Sequence, residues 1–279
     1  MVDFLTRLLA VITFQAGYNT SLVLVGAALL GAGGGAIGVF VLLRKRSLVS
    51  DAISHATLPG IVLAFLFGHY FLGDGRPLWL LLVGAAFSAG LGVLAVEWIT
   101  RRTRLSEDTA IGSVLSTYFA LGIVLLTLIQ SMNINGQAGL ASFILGSTAG
   151  LLWFDAMLIA VASILVGLVL VLWLKDFTLL CFDPAFAMAR GMNTARFDRL
   201  LLLLLLAIVV IGLKTVGLVL VIALTIIPPV AARFWTERVG PMVLIAAAIG
   251  AIGAFFGTAL SSVVADLPTG GLIVLTLFA

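Results

Sequence analysis

Seven leucines follow one another from Leu200 to Leu206, inside a run that carries no charge until Lys214. A strand turns successive side chains to opposite faces, so barrel strands alternate apolar and polar residues, and this run does not. Only a helix in apolar surroundings accepts such a run on every side. Comparable runs recur along the chain. Of 279 residues, 62% are hydrophobic and 10% charged, with a mean hydropathy of +1.28, so a polar surface for a soluble globule cannot be assembled. The expected fold class is all-α, a polytopic helical membrane protein.

The placement of charge orients the chain. Of the fifteen Lys and Arg residues, all but Arg7, Arg76 and Lys214 fall in four short clusters between apolar runs, at positions 44–46, 101–104, 175–199 and 233–238. The positive-inside rule turns those clusters to the cytoplasm and sends residues 73–76, 131–137 and the Lys214 turn outward. The basic pI then reflects topology, and nucleic acid is not an expected partner. A single cysteine, Cys181, excludes an internal disulfide and a thiolate metal cage; a structural or incidental role is expected for it.

In chain order, residues 1–18 read as an interfacial lead-in without the marks of a cleavable signal. Expected spans follow at about 21–43, 51–72, 78–99, 106–130, 151–174, 200–213, 216–232 and 239–257. That makes about eight (seven to nine) in one domain, 1–279. The first is rich in glycine, which lets neighbouring backbones approach. Glu97 reads as a salt-bridged or solvated flank. Ser106, Glu107 and Asp108 read as a helix cap with first-turn acids. Residues 141–150 suit a re-entrant or interfacial piece, and 270–279 amount to half a span.

Two stretches carry chemistry. RKRSLVSDAISHATLPG, residues 44–60, sets three cations before an apolar helix holding one carboxylate, Asp51, and one imidazole, His55. A spacing of four puts both on one helical face. His55 would then lie about 13 Å beyond Arg46, near the middle of a hydrocarbon layer about 30 Å thick. Asp51 as a cap and His55 satisfied by a carbonyl is the plainer alternative. Burying an ionisable pair in a bilayer costs several kcal/mol, which favours a functional reading. Pro59 and Gly60, one turn on, invite a kink or unwound turn beside the pair. His69 reads as interfacial.

The second stretch is the long cytoplasmic segment 175–199. It contains Asp183, Pro184, Ala185, Phe186, Ala187, Met188, Ala189, Arg190 and Gly191. Asp at the cap, Pro at the first helical position and Gly past the end describe a short helix, suited to docking a partner protein.

No phosphate loop precedes any of the three lysines, so ATP could act only through another polypeptide, and H-E-x-x-H is absent. One carboxylate and one neutral imidazole suit Mn²⁺, Fe²⁺ or Zn²⁺ but do not fill a coordination shell. A second copy presenting the same pair across an axis would supply four ligands.

Six motifs together resemble the permease subunits of the manganese/zinc/iron ABC importers: residues 44–60 with SDAISHATLPG, SEDTAIG at 106–112, GQAGLASFILG at 136–146, residues 183–191, KTVGLVLVIALTIIPPVAA at 214–232 and ADLPTGGLIVL at 265–275. The resemblance covers nearly the whole chain. It implies a type II ABC importer-like, multi-pass protein of the bacterial cytoplasmic (inner) membrane, not itself an enzyme. Its implied partners are separate ABC ATPase subunits, an extracytoplasmic metal-binding protein, a second permease copy (homodimer or paralogous heterodimer) and the lipid bilayer. No cofactor would be permanently bound, and the divalent metal is the cargo. The family's metal-contacting residues map onto Asp51 and His55, and its ATPase-coupling helix onto Asp183 to Gly191. The Leu58-Pro59-Gly60 ending and the GQAGL loop are more similar to the manganese and iron branches than to the zinc branch. A proton-coupled secondary metal transporter, with Asp51 and His55 as a relay, and a non-transporting scaffold are the competing expectations. Because an imidazole must be neutral to bind metal, uptake is expected to weaken below about pH 6.

Overall fold

The computed structural model describes residues 2–15, 17–72, 77–132, 151–264 and 269–278, all helices and short connections with no strand among them. The expected outer loop at 133–137 and re-entrant piece at 141–150 lie outside the described residues. The helices are α1 (Val2–Ile12), α2 (Tyr18–Leu43), α3 (Ser47–Phe67, continued by a π turn, Gly68–Leu72), α4 (Leu78–Arg102), α5 (Glu107–Ser131), α6 (Trp153–Leu172), α7 (Leu174–Phe182), α8 (Pro184–Ala189), α9 (Thr194–Val216), α10 (Leu218–Trp235), α11 (Val239–Val263) and α12 (Thr269–Phe278).

Seven of these, α2 to α6, α10 and α11, are long and apolar enough to cross a membrane. The 23-residue α9 is about 34 Å long and adds an eighth of spanning length. Local chemistry sets several ends. Ser106 caps α5, its Oγ accepting from Thr109 N at 3.3 Å, and Asn193 caps α9 by accepting from Arg196 N at 3.1 Å. Gly217, at φ +83°, takes the left-handed turn that separates α9 from α10. The outward stripe of α4, Trp79, Val83, Phe87, Leu91, Leu94 and Trp98, is exposed and wholly apolar. Its two tryptophans are nineteen residues apart, about 28 Å along the helix, matching the belts at the two edges of a bilayer.

Lipid chains are as apolar as leucine, so close packing rather than hydrophobic drive holds membrane helices together. Glycine supplies it here. A Cβ on Gly31 would strike the Gly250 carbonyl of α11, one on Gly35 the Ala246 carbonyl, and one on Gly38 the Thr225 carbonyl of α10. α2 is therefore the axle of one group, with α6, α10 and α11 around it. α3 is the axle of a second, with α4 and α5. Gly60 and Gly84 bring the α3 and α4 backbones together, and a Cβ on Gly92 would meet Ala56 Cβ at 2.8 Å. α9 touches both groups. α12 packs on α11, with Ile273 at Gly257 and Leu277 at Gly253. Val11 of α1 is buried with Leu24 and Ala259, which ties the lead-in to α2 and α11.

One ion pair stands out at the outer level. Asp155, 3% exposed, accepts from Lys214 Nζ at 2.6 Å, and its other oxygen accepts from Leu152 N at 3.0 Å. Lys214 lies in the last turn of α9 rather than in a free turn, and pins α9 to α6.

The packing makes a sharp expectation. Gly35→Ala is expected to destabilise the protein by about 1–3 kcal/mol, seen as a lower unfolding midpoint in detergent. Gly167→Ala, where an added Cβ meets nothing within 4 Å, is expected to leave the midpoint unchanged.

Candidate metal site

The turn that leads into the site is tight. α2 ends at Leu43 and α3 begins at Ser47, with Lys45 between them in the left-handed region at φ +58°. Arg46 is the N-cap of α3, so Asp51 stands inside the second turn and does not cap the helix. The Asp51 Oδ1 to His55 Nε2 distance is 3.2 Å. Two donors bound about 2.1 Å from one ion are about 3.0–3.4 Å apart at right or tetrahedral angles, so the pair needs little movement to share a cation. His55 Nδ1 is buried and has no hydrogen-bond partner among the described residues. The ring meets Phe119 of α5 edge-on, with centroids 4.9 Å apart.

Neighbouring hydroxyls do not join the pair. Ser50, Ser54 and Thr57 are fully buried and donate back along their own helix, to the carbonyls of Ser47, Ser50 and Ser54. Among the described residues no group of three or more His, Cys, Asp and Glu could hold a metal. One chain thus presents two ligands. They are not sealed inside it: the His55 side chain is 19% and the Asp51 side chain 30% exposed.

In the first half of α5, beside them, the exposed residues are Gly112, Ser113, Ser116, Thr117, Phe119 and Ala120, whereas its second half exposes Leu121, Ile123, Val124 and Leu128. The exposed face of α6 carries Val161, Ile164, Leu165, Leu168, Val171 and Leu172. The first half of α5 is thus the more polar of the two faces.

Pro59 lies inside α3, which stays helical through Gly60 to Phe67, so of the kink or unwound turn expected there the unwound turn is absent. Neighbours pack closely on the segment. Gly122 of α5 sits against Leu58 and Pro59, and Gly84 of α4 against Gly60. His69 belongs to the π turn, edge-on to Tyr70 at 5.3 Å, and is remote from the pair along α3.

The short helix α8 forms as its residues dictate. Asp183 Oδ1 accepts from Phe186 N at 2.9 Å, Pro184 takes the first helical position, and Gly191 follows at φ +81°. Ala187 is buried, whereas Phe186 and Met188 are about half exposed, and the Arg190 guanidinium lies 5.9 Å from the Phe186 ring centroid.

Three acids have partners that one-dimensional reading missed. Asp198 accepts from Arg44 at 2.9 Å and from Arg46 at 2.7 and 2.8 Å. Glu107, read only as a first-turn acid, also pairs with Arg46 Nε at 2.6 Å. Asp155 pairs with Lys214. The available signal was charge parity, a lone acid and a lone base at the same membrane level. Glu97, as expected, is a salt-bridged flank, 2.6 Å from Arg101. Burial works against the charged form of Arg46, but Asp198 and Glu107 outweigh it and hold its pKa above the usual arginine value.

Burial likewise pushes the Cys181 thiol up to about 11, against a lowering by Arg44. Roughly one thiol in a thousand is then ionised at pH 8, and the thiolate is the reactive form. Cys181 is expected to resist iodoacetamide at pH 8 in the folded protein and to react once it is unfolded, as mass spectrometry of the alkylated chain would read.

Membrane-length helices around a sparse carboxylate–imidazole pair, with a short capped helix between α7 and α9, describe a polytopic helical membrane protein. The sequence profile of the ABC 3 transport family matches residues 18–279, and the chain belongs to that family. The manganese transport system membrane protein MntC of Bacillus subtilis (strain 168) is 43% identical over 258 residues, which are 92% of this chain and 58% of that protein. The chain thus spans under two thirds of that relative's length. The zinc transport system membrane protein TroC of Treponema pallidum (strain Nichols) is 38% identical over 260 residues, 93% of this chain and 86% of that protein. Among solved structures, PsaBC from Streptococcus pneumoniae in complex with Fab matches with a TM-score of 0.81 at 27% identity, covering 99% of this chain and 92% of that one.

Proposed function

We propose that this chain is the membrane subunit of an ATP-driven importer of divalent transition-metal ions in a bacterial cytoplasmic (inner) membrane. Two copies, or this chain and a paralogue, enclose the path. An extracytoplasmic binding protein delivers the ion from outside, and separate ATPase subunits drive it from the cytoplasm. The observation that carries this reading is the Asp51/His55 pair, its donors 3.2 Å apart and open to the face shared with α5. Two ligands per chain call for a second copy. The serine, threonine and glycine residues exposed in the first half of α5, beside the pair, suit a passage or a protein neighbour better than lipid, unlike the apolar face of α6.

Asp51 compensates charge as the ion sheds water, and His55 supplies a neutral nitrogen. The α8 helix, with Phe186 and Met188 outward, is the docking point for the ATPase. Manganese is placed first, ahead of zinc and iron, on the 43% identity to a protein named for manganese transport and on the LPG and GQAGL motifs.

The test is reconstitution of the chain with its ATPase and binding protein in proteoliposomes, comparing uptake of Mn²⁺, Zn²⁺ and Fe²⁺. Asp51→Ala and His55→Ala are expected to lose uptake at least tenfold while still assembling with the ATPase. Wild-type uptake by both variants would refute the assignment.

A further inference from the structure

The two flanks of α8 are both tied to one turn. Ahead of α8, the Leu180 carbonyl in α7 accepts from Arg44 at 3.0 Å. Beyond it, Asp198, one turn into α9, receives Arg44 and Arg46 together. That turn joins α2 to α3, and its left-handed Lys45 lets the two guanidiniums converge on one carboxylate. Arg46 also begins the metal-site helix, its carbonyl accepting from Val49 N at 2.9 Å. Asp51 follows five residues later, about 7.5 Å along a continuous helix.

We infer that Asp198 is a positioning residue that passes the movement of α8 through Arg46 to the Asp51/His55 pair. This rests on the proposed metal import and adds how that site is driven. Arg46 Nη1 donates to both oxygens of Asp198 while its Nε is held by Glu107, so the guanidinium is fixed from two sides by charge-assisted bonds. The two side chains are only 18% and 22% exposed, so water competes little. A helix moves as a rigid rod over this length, and a displacement at Arg46 carries the ligand pair with it. There is room for it: a cavity of about 200 Å³ adjoins Arg46, Ala52 and Ile53 on α3 and reaches Gly92, Glu97 and Asp198. Glu107 holds Arg46 from α5, which has no chain connection to α8, so that branch anchors without transmitting.

The test uses the same reconstituted complex and reads metal moved per ATP hydrolysed. Asp198→Asn is expected to lower that ratio at least tenfold while hydrolysis stays within twofold, and Asp198→Glu to restore most of it. Glu107→Gln is expected to keep the ratio. Should the Asn variant fail to assemble, Arg46→Gln attacks the same bond from the other side. Uptake and hydrolysis falling in parallel, or an equal loss of coupling in Glu107→Gln, would make Asp198 merely structural and overturn the inference. A second readout does not depend on metal: spin labels at the exposed Leu48 and Leu172, introduced as cysteines in a Cys181→Ser chain. Their separation is expected to change on ATP binding in the otherwise native complex and not with Asp198→Asn. An identical change in both refutes the link even where no metal is carried, whereas a nucleotide response without uptake counts against the metal reading alone.

Discussion

Backbone contact between helices at glycine is the constraint on which everything else in this protein depends. A bilayer gives two apolar helices no reason to prefer each other over lipid, so the gain must come from van der Waals contact along matched grooves. At Gly31, Gly35 and Gly38 the α2 backbone lies against carbonyls of α11 and α10, and at Gly60 the α3 backbone lies against α4. Those approaches fix where α3 stands and which of its faces is left open. The open face carries Asp51 and His55.

Charged groups are few, and two sets of them fix relations between helices. Asp155 and Lys214 join α6 to α9. Arg44, Arg46, Asp198 and Glu107 join the α2–α3 turn to α9 and α5. Removing one partner from such a pair leaves a charge in poor solvent, at a cost of about 3–5 kcal/mol when buried, so these links specify the arrangement more than they add net stability. The Asp51/His55 pair differs in kind. Its imidazole Nδ1 has no hydrogen-bond partner among the described residues, and its carboxylate is the more exposed partner.

Much of this was legible in one dimension because membrane segments are simple objects. Runs of apolar residues between basic clusters located the spans to within a few residues, and Asp183, Pro184 and Gly191 described α8 before any coordinates. The four-residue spacing of Asp51 and His55 was equally plain, since a helix makes i and i+4 neighbours whatever surrounds it. The readings that failed are non-local. Pro59 should loosen a lone helix, yet α4 and α5 press on α3 from both sides and it stays helical. Glu107 looked complete as a first-turn acid because its partner, Arg46, lies sixty-one residues away. Asp198 drew no reading at all, because its partners Arg44 and Arg46 lie 154 and 152 residues away.

By itself the amino-acid order determined the all-helical membrane class, the juxtaposition of Asp51 and His55 and the capped short helix α8. Each of these follows from periodicity or contacts within one turn. Only the tertiary structure decided that the Asp51/His55 pair opens onto the face shared with α5, that Pro59 costs no helix, and that both flanks of α8 hold the turn into α3. Those facts depend on which glycine meets which carbonyl across helices far apart in sequence, and no local pattern encodes that choice.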